Sequence, residues 1–336
     1  MKLKSKYFSW EYILIILLLF EMFFFGIFNP HFLNIRNLLF TVNDFIYIGL
    51  AALPMTIVII TGGIDVSIGS VMGFSSIILG FFWVKGVNIW ISLVITLLSG
   101  ITIGFLMGFL IVWTNIQPLI LTLAGMFVFS GLAVVLSGQL GASGFEGVSG
   151  MPDSFSQIVN EYILNIPNGV WIFLAFTIIF ILILHKTRFG RYVFLIGINP
   201  SAAKYSGINV GLIKIFSYIL TGFGASISGI ILTSYFTSAR ADLGNDSLLP
   251  VITSVVLGGT NILGGEGTIL GTAIAVLFIS FLRYGLQQAN FPSEQIDVFI
   301  GIVLVLAVGA RIWFGWARER ILSKKALRKQ SNALLQ

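Results

Sequence analysis

Apolar residues run along this chain in long blocks, each closed by a short polar or glycine-rich interval, and no block alternates with a period of two. Blocks of this length can cross a hydrocarbon core of about 30 Å, and a spanning backbone that does not alternate must satisfy its own hydrogen bonds as a helix. Ten spans are predicted, with approximate ends 12–28, 44–61, 68–84, 89–113, 118–137, 169–186, 214–236, 249–263, 267–288 and 295–312. The fold class is therefore an all-α polytopic membrane protein of about ten transmembrane helices. Residues 1–336 form a single transmembrane domain with its spanning core at 12–312.

Composition supports the class: 57% of residues are hydrophobic, 10% are charged and mean hydropathy is +1.00. Charge adds the topology. Of 19 Lys and Arg, three precede Trp10, five lie between Lys186 and Lys214, and seven follow from Arg311. An even span count puts both termini on one side, and the same parity brings 187–213 there, so the positive-inside rule places all three basic segments, including the tail 313–336, in the cytoplasm. The segment 138–168 carries Glu146, Asp153 and Glu161 and no Lys or Arg, as an exported loop does. A pI near 9.5 thus reports topology rather than a phosphate-binding groove. Cysteine is absent, which excludes disulfides, thiolate metal sites and a cysteine nucleophile. The basic start and first apolar run lack a small-residue cleavage site and read as a retained span.

Two spans contain glycine interruptions. Leu53-Pro54 lies eight residues before Gly62-Gly63, with Asp65 and Gly69 following; Leu249-Pro250 lies eight before Gly258-Gly259, with Asn261, Gly264, Gly265, Glu266 and Gly267 following. The pair reads either as remnants of a parallel internal repeat or as coincidence in a chain with 37 glycines. In both readings the helices break there and face the protein interior, because lipid does not tolerate unsatisfied backbone.

The polar stretch from His185 to Lys214 carries its own helix signal. Asn199 suits an N-cap, Pro200 the first helical position, Ala202 and Ala203 continuation, and Gly207 a left-handed stop. One or two turns are marginal alone, since isolated helices need about 12–15 residues. The stretch reads as a docking surface.

Three motifs together resemble a family: GGIDVSIGS at Gly62–Ser70, GRYVFLIGINPSAAKYSGINV at Gly190–Val210, and VVLGGTNILGGEGTILGT at Val255–Thr272. They are similar to the permease subunits of ribose-type sugar ABC importers, and the resemblance spans nearly the whole chain. Within that family, the stretch from Leu38 to Ser70, LSGQLGASGFEGVSGMPDSF and SYFTSARADLG look most like the branch that imports autoinducer-2, a small furanosyl, polyol-like quorum-sensing signal. The resemblance implies a bacterial inner-membrane permease beside a second, related but different permease chain. It also implies a cytoplasmic ABC ATPase, a fused two-domain polypeptide in this branch, and a periplasmic binding protein. No G-x-x-x-x-G-K-[ST] stretch occurs, so no cofactor is expected on this chain, and ATP is hydrolysed by the partner. The resemblance assigns ATPase coupling to Gly190, Arg191, Gly197, Asn199, Pro200, Ser201, Ala202, Ala203, Lys204, Ser206 and Gly207. Pro200 and Ser201 stand where such permeases commonly carry acids, and Ala203→Arg is the substitution expected to test docking.

Five polar residues are candidates for a substrate path: Asn43, Asp44, Asp65, Gln117 and Thr122. Each has a second reading. Asn43 and Asp44 suit an N-cap for the second span, and Asp65 suits a cap accepting from the N–H of Ser67 or Ile68. Thr122 suits a hydroxyl bonded to its own i−4 carbonyl. Glu21, in mid-span, is expected to be neutral or paired. Arg240 and Asp242 read as charges outside the membrane, meeting a binding protein or water. No catalytic residue or metal site is expected. The G-x-S-G at Gly141–Gly144 suggests a serine hydrolase, but His31 and His185 fall near opposite faces, beyond the reach of about 3 Å that a Ser–His pair needs. An ion-coupled carrier would accommodate broken helices but not a polar cytoplasmic docking helix. A pentose permease is the rival within the family.

Overall fold

The computed structural model describes residues 10–140 and 147–309. Ser143 and Glu146, the basic residues before Trp10 and the tail 313–336 lie outside the described residues. Thirteen helices are described: α1 Trp10–Phe28, α2 Ile35–Ile60, α3 Ile68–Val84, α4 Ile89–Thr114, α5 Pro118–Gln139, α6 Asp153–Asn160, α7 Asn168–Lys186, α8 Arg188–Ile198, α9 Pro200–Tyr205, α10 Val210–Phe236, α11 Leu248–Leu257, α12 Ile269–Gln288 and α13 at 293–309. Among the described residues, seven (α1, α2, α4, α5, α7, α10 and α12) are long and apolar enough to cross a membrane. A two-residue hairpin, Tyr162–Ile163 with Ile166–Pro167, turns through Leu164 and Asn165, both at positive φ.

Helix α2 is the centre. From Ile48 to Ile60 it is buried all round, by α10, α12, α7 and α11. A helix that is apolar on every face belongs in a core. Pro54 sits inside it and frees the Leu50 carbonyl; Gly224 of α10 comes so close to that carbonyl and to the proline ring that an added Cβ would lie 2.7 and 2.5 Å from them. Gly100, Gly104 and Gly108, at four-residue spacing on α4, face the Ile215–Ser226 stretch of α10 backbone to backbone. Small residues at this spacing let two helices approach where hydrophobic burial supplies no drive between them.

Two expectations are corrected. The second helix begins at Ile35, with the Asn34 side chain capping Arg36 N, so Asn43 and Asp44 lie inside a helix and not at its start. Their partners are distant: Asn43 Oδ1 accepts from Gly169 N at the start of α7 (3.1 Å), and Asp44 Oδ1 accepts from Tyr235 Oη (2.9 Å). The expected span 249–263 is also not one helix. α11 has 10 residues, about 15 Å at 1.5 Å per residue, half a membrane core.

Ahead of α11 the chain is irregular. Residues 239–244 lie in a groove of α3 made by Gly80, Gly73 and Gly69, meeting Ala239, Ala241 and Gly244 in turn. From Gly80 to Gly69 is three turns, about 16 Å of descent. Backbone satisfaction is met by protein: Ala239 pairs with Val148, and Arg240 N donates to Ser76 Oγ (3.1 Å). Arg240 and Asp242, expected as loop charges, sit on this descending segment and pair with each other.

Helix α1 packs on α12 and α13 through Leu14, Ile279, Ile296 and Ile300. Glu21, on the same helix, is buried with neither carboxyl oxygen partnered among the described residues, so the expected pairing is absent. Trp10 Nε1 donates to Leu257 O, the last carbonyl of α11, at 2.7 Å. Trp10→Phe keeps most of the ring and orphans that carbonyl. A loss of about 1–3 kcal/mol is expected, read as a lower thermal midpoint of the purified protein, with Phe28→Tyr on the exposed end of α1 as the neutral control.

Candidate functional site at the paired helix breaks

The two interrupted helices end in the same way. After α2, Gly62 takes φ +82°, Gly62 N donates to Ile59 O (2.9 Å) and Gly63 N to Val58 O (3.1 Å). After α11, Gly259 takes φ +94°, Gly259 N donates to Val256 O (3.0 Å) and Thr260 N to Val255 O (3.2 Å). Both are Schellman motifs, in which only a residue free to adopt the left-handed region closes the helix. Of the pair expected to break the second helix, Gly258 is the right-handed C-cap and Gly259 makes the turn. The structural match is one residue out of step with the Leu-Pro pairs.

The breaks also touch. Gly265 N donates to Ile60 O, the last carbonyl of α2 (2.9 Å), and Gly264 lies over Ile60 O and Gly62 N. Gly264 and Gly265 are both at positive φ. An added Cβ on Gly267 would lie 2.7 Å from Thr260 Oγ1 and 3.0 Å from the Ile60 side chain, which holds the returning chain tight. Gly69, the second residue of α3, lies against Gly244.

Two helices, α10 and α5, pin the first break. Asp65 Oδ1 accepts from Ser67 N (3.0 Å) and Ser67 Oγ (2.6 Å), and Oδ2 lies 3.0 Å from Thr221 Oγ1 on α10. The capping geometry expected of Asp65 is present, with Thr221 an addition that the local pattern did not signal. Thr122 Oγ1 on α5 lies 2.9 Å from its own i−4 carbonyl, Pro118 O, and 3.2 Å from Ile64 O, and accepts from Val66 N (3.1 Å). Asp65 and Thr122 thus hold opposite sides of one loop. Asn43 and Asp44 lie elsewhere on α2, and Gln117 is exposed at the start of α5, so the five residues occupy three separate places.

The polar stretch after α7 forms two helices rather than one. In α8, which carries exposed Arg191, the Thr187 side chain caps Gly190 N (3.2 Å), and Gly190 packs against the Leu184 carbonyl. In α9, Asn199 Oδ1 accepts from Ala202 N (3.0 Å), Pro200 opens the helix, Ser206 Oγ donates to Ala202 O (2.9 Å), and Gly207 ends it at φ +80°. Pro200, Ser201, Ala202, Lys204, Tyr205 and Ser206 are exposed. Ala203 is buried, so Ala203→Arg would disrupt the fold of the stretch; Tyr205, 93% exposed, is the proper place for a docking probe. Beside α9 a pocket of about 820 Å³ is lined by Lys204, Gln117, Asn115 and Lys214. Gly197 at the end of α8 reaches the paired breaks.

Residues missed from the sequence include Arg283 and Asp297. Arg283 Nη2 donates to Asp297 Oδ1 (3.2 Å), its guanidinium stacks 5.8 Å from the Phe45 ring, and Nε and Nη1 have no partner among the described residues. No local pattern marks an arginine in an apolar helix as paired with a carboxylate 14 residues on.

Residues 37–308 match the family described as "Branched-chain amino acid transport system / permease component". Similar proteins include relatives named "Autoinducer 2 import system permease protein LsrD". That of Enterobacter sp. (strain 638) is 44% identical over 303 residues, covering 90% of this chain and 93% of the relative. That of Klebsiella pneumoniae subsp. pneumoniae is 43% identical over 333 residues, covering 97% and 99%. That of Escherichia coli (strain K12) is 44% identical over 304 residues, covering 90% and 92%. With a family match over most of its length and relatives aligned nearly end to end, the chain belongs to the permease-component family of ABC importers, integral proteins of the inner membrane.

Proposed function

We propose that this chain is the permease that carries autoinducer-2 inward across the inner membrane, driven by ATP hydrolysed on a separate subunit. The likeness to LsrD relatives along nearly the full length is the observation that carries this reading. ABC-importer permeases work with an ATPase and a binding protein; here the partners are an LsrC-like second permease, an LsrA-like ATPase and an LsrB-like binding protein. The basic segments lie in the cytoplasm by the positive-inside rule, which turns exposed α9 toward the ATPase. Asn43, Asp44, Asp65 and Thr122 are assigned to the substrate path as its hydrogen-bonding groups, and Gln117 lines the pocket beside α9. Selectivity for an uncharged hydroxylated solute then rests on hydrogen bonds and shape.

The test is uptake by cells that lack their own system and express this chain with the three partners. Autoinducer-2 should leave the medium, stop leaving it when ATP is depleted, and copurification should bring down the ATPase with the chain. Preferential uptake of a pentose would overturn the substrate. Uptake that survives ATP depletion and stops with an uncoupler would overturn the drive.

A further inference from the structure

The end of α8 is built into the paired helix breaks. A Cβ on Gly197 would strike the Ile60 carbonyl oxygen, the last of α2, and would lie 2.4 Å or more from Gly265, whose N–H donates to that same oxygen. Gly197 O lies 3.2 Å from where a Cβ on Gly264 would stand, and Ile198 N and Cγ1 lie 3.2 and 3.1 Å from one on Gly265. Three backbone segments, 60–62, 197–198 and 264–265, therefore meet main chain to main chain at Gly197, with the Ile198 side chain beside Gly265. Asn199, the cap of α9, follows at once, and Pro200 is three residues from Gly197, at most about 11 Å of chain.

We propose that Gly197 is a positioning residue through which the α8–α9 pair moves both interrupted helices as one body. The proposal rests on the importer reading and adds to it the point of transmission. Backbone against backbone leaves no rotamer to absorb a displacement: a shift of α9 reaches the Ile60–Gly265 hydrogen bond directly, and with it the C-terminus of α2 and the return loop before α12. Val193 and Ile196 bury the rest of α8, so the pair moves as a unit with its neighbours. A methyl group at 197 would wedge the three segments apart while leaving the exposed face of α9 unchanged.

In the assembled transporter, Gly197→Ala should keep the ATPase bound and hydrolysing while autoinducer-2 taken up per ATP falls at least tenfold. Gly138→Ala, on α5 with nothing within 4 Å, should stay within twofold of the parent. Uptake per ATP unchanged in Gly197→Ala would overturn the proposal. Should that variant fail to accumulate, the parent complex decides: adding a nonhydrolysable ATP analogue should change hydrogen exchange in peptides covering 60–64 and 262–267 together with 196–205. A change confined to 196–205 would overturn the relay with the importer intact. A preparation in which no ATPase accompanies the chain would overturn the importer reading itself.

Discussion

Gly104→Leu abolishes accumulation of the chain in the membrane, whereas Gly131→Leu on α5 leaves it near the parent level; this is the expected result, read by immunoblot of membrane fractions. The difference lies in what a side chain meets. At Gly131 nothing lies within 4 Å, but at Gly104 even a methyl would enter the Tyr218 carbonyl and lie 2.8 Å from Ile219 Cα. Those are backbone atoms of α10 and cannot rotate away. Overpacking a deformable core costs about 1–3 kcal/mol, and separating two main chains costs more, because Gly100, Gly108 and Gly222 lose contact along with it. In lipid no hydrophobic drive compensates. Accumulation of Gly104→Leu at the parent level would show that α4 and α10 do not pack through this stripe.

The second large effect is at Asp65. Asp65→Ala removes the acceptor for Ser67 N and Ser67 Oγ and the partner facing Thr221 Oγ1, all buried. Leaving buried polar groups unpaired costs about 1–3 kcal/mol each, so a loss on the order of 3 kcal/mol is expected in thermal unfolding, with uptake down more than tenfold. Asp65→Asn retains one carbonyl acceptor, which can still cap Ser67 N, and should recover most of the stability. Its uptake separates the two roles of the residue. Full transport by the asparagine variant would assign Asp65 to holding the break alone; stable protein with lost transport would place the carboxylate on the path.

Elements governed by local chemistry were legible before the structure. The α9 signal, Asn199 cap, Pro200 start and Gly207 stop, is contained within nine residues, and its hydrogen bonds lie where that chemistry puts them. Helices α2 and α11 end at the two glycine pairs, where Gly62 and Gly259 take the left-handed conformation. What depended on partners far along the chain was not legible. Asn43 and Asp44 looked like a helix start because polar pairs usually mark one, but they bond 126 and 191 residues away. The run 249–263 is apolar enough to span, yet hydropathy registers composition and not backbone direction, and the run turns back after ten helical residues. That the stretch with Arg240 and Asp242 packs along α3 was not legible either, because the groove that receives it is made of glycines on another helix. Gly197 stood in the coupling motif, but its contacts with 60 and 265 could not be read from spacing.

The hydrogen bond from Trp10 to Leu257 bridges 247 residues of sequence. During synthesis the first helix therefore enters the bilayer long before the Leu257 carbonyl exists, and α11 is made only after most other helices have been inserted. Long-range closure of this kind comes late in assembly, since the entropy of bringing distant segments together must be met first. The first helix and α11 thus complete the fold together: a nascent chain stopped after α10 has not yet made the carbonyl to which the Trp10 indole donates.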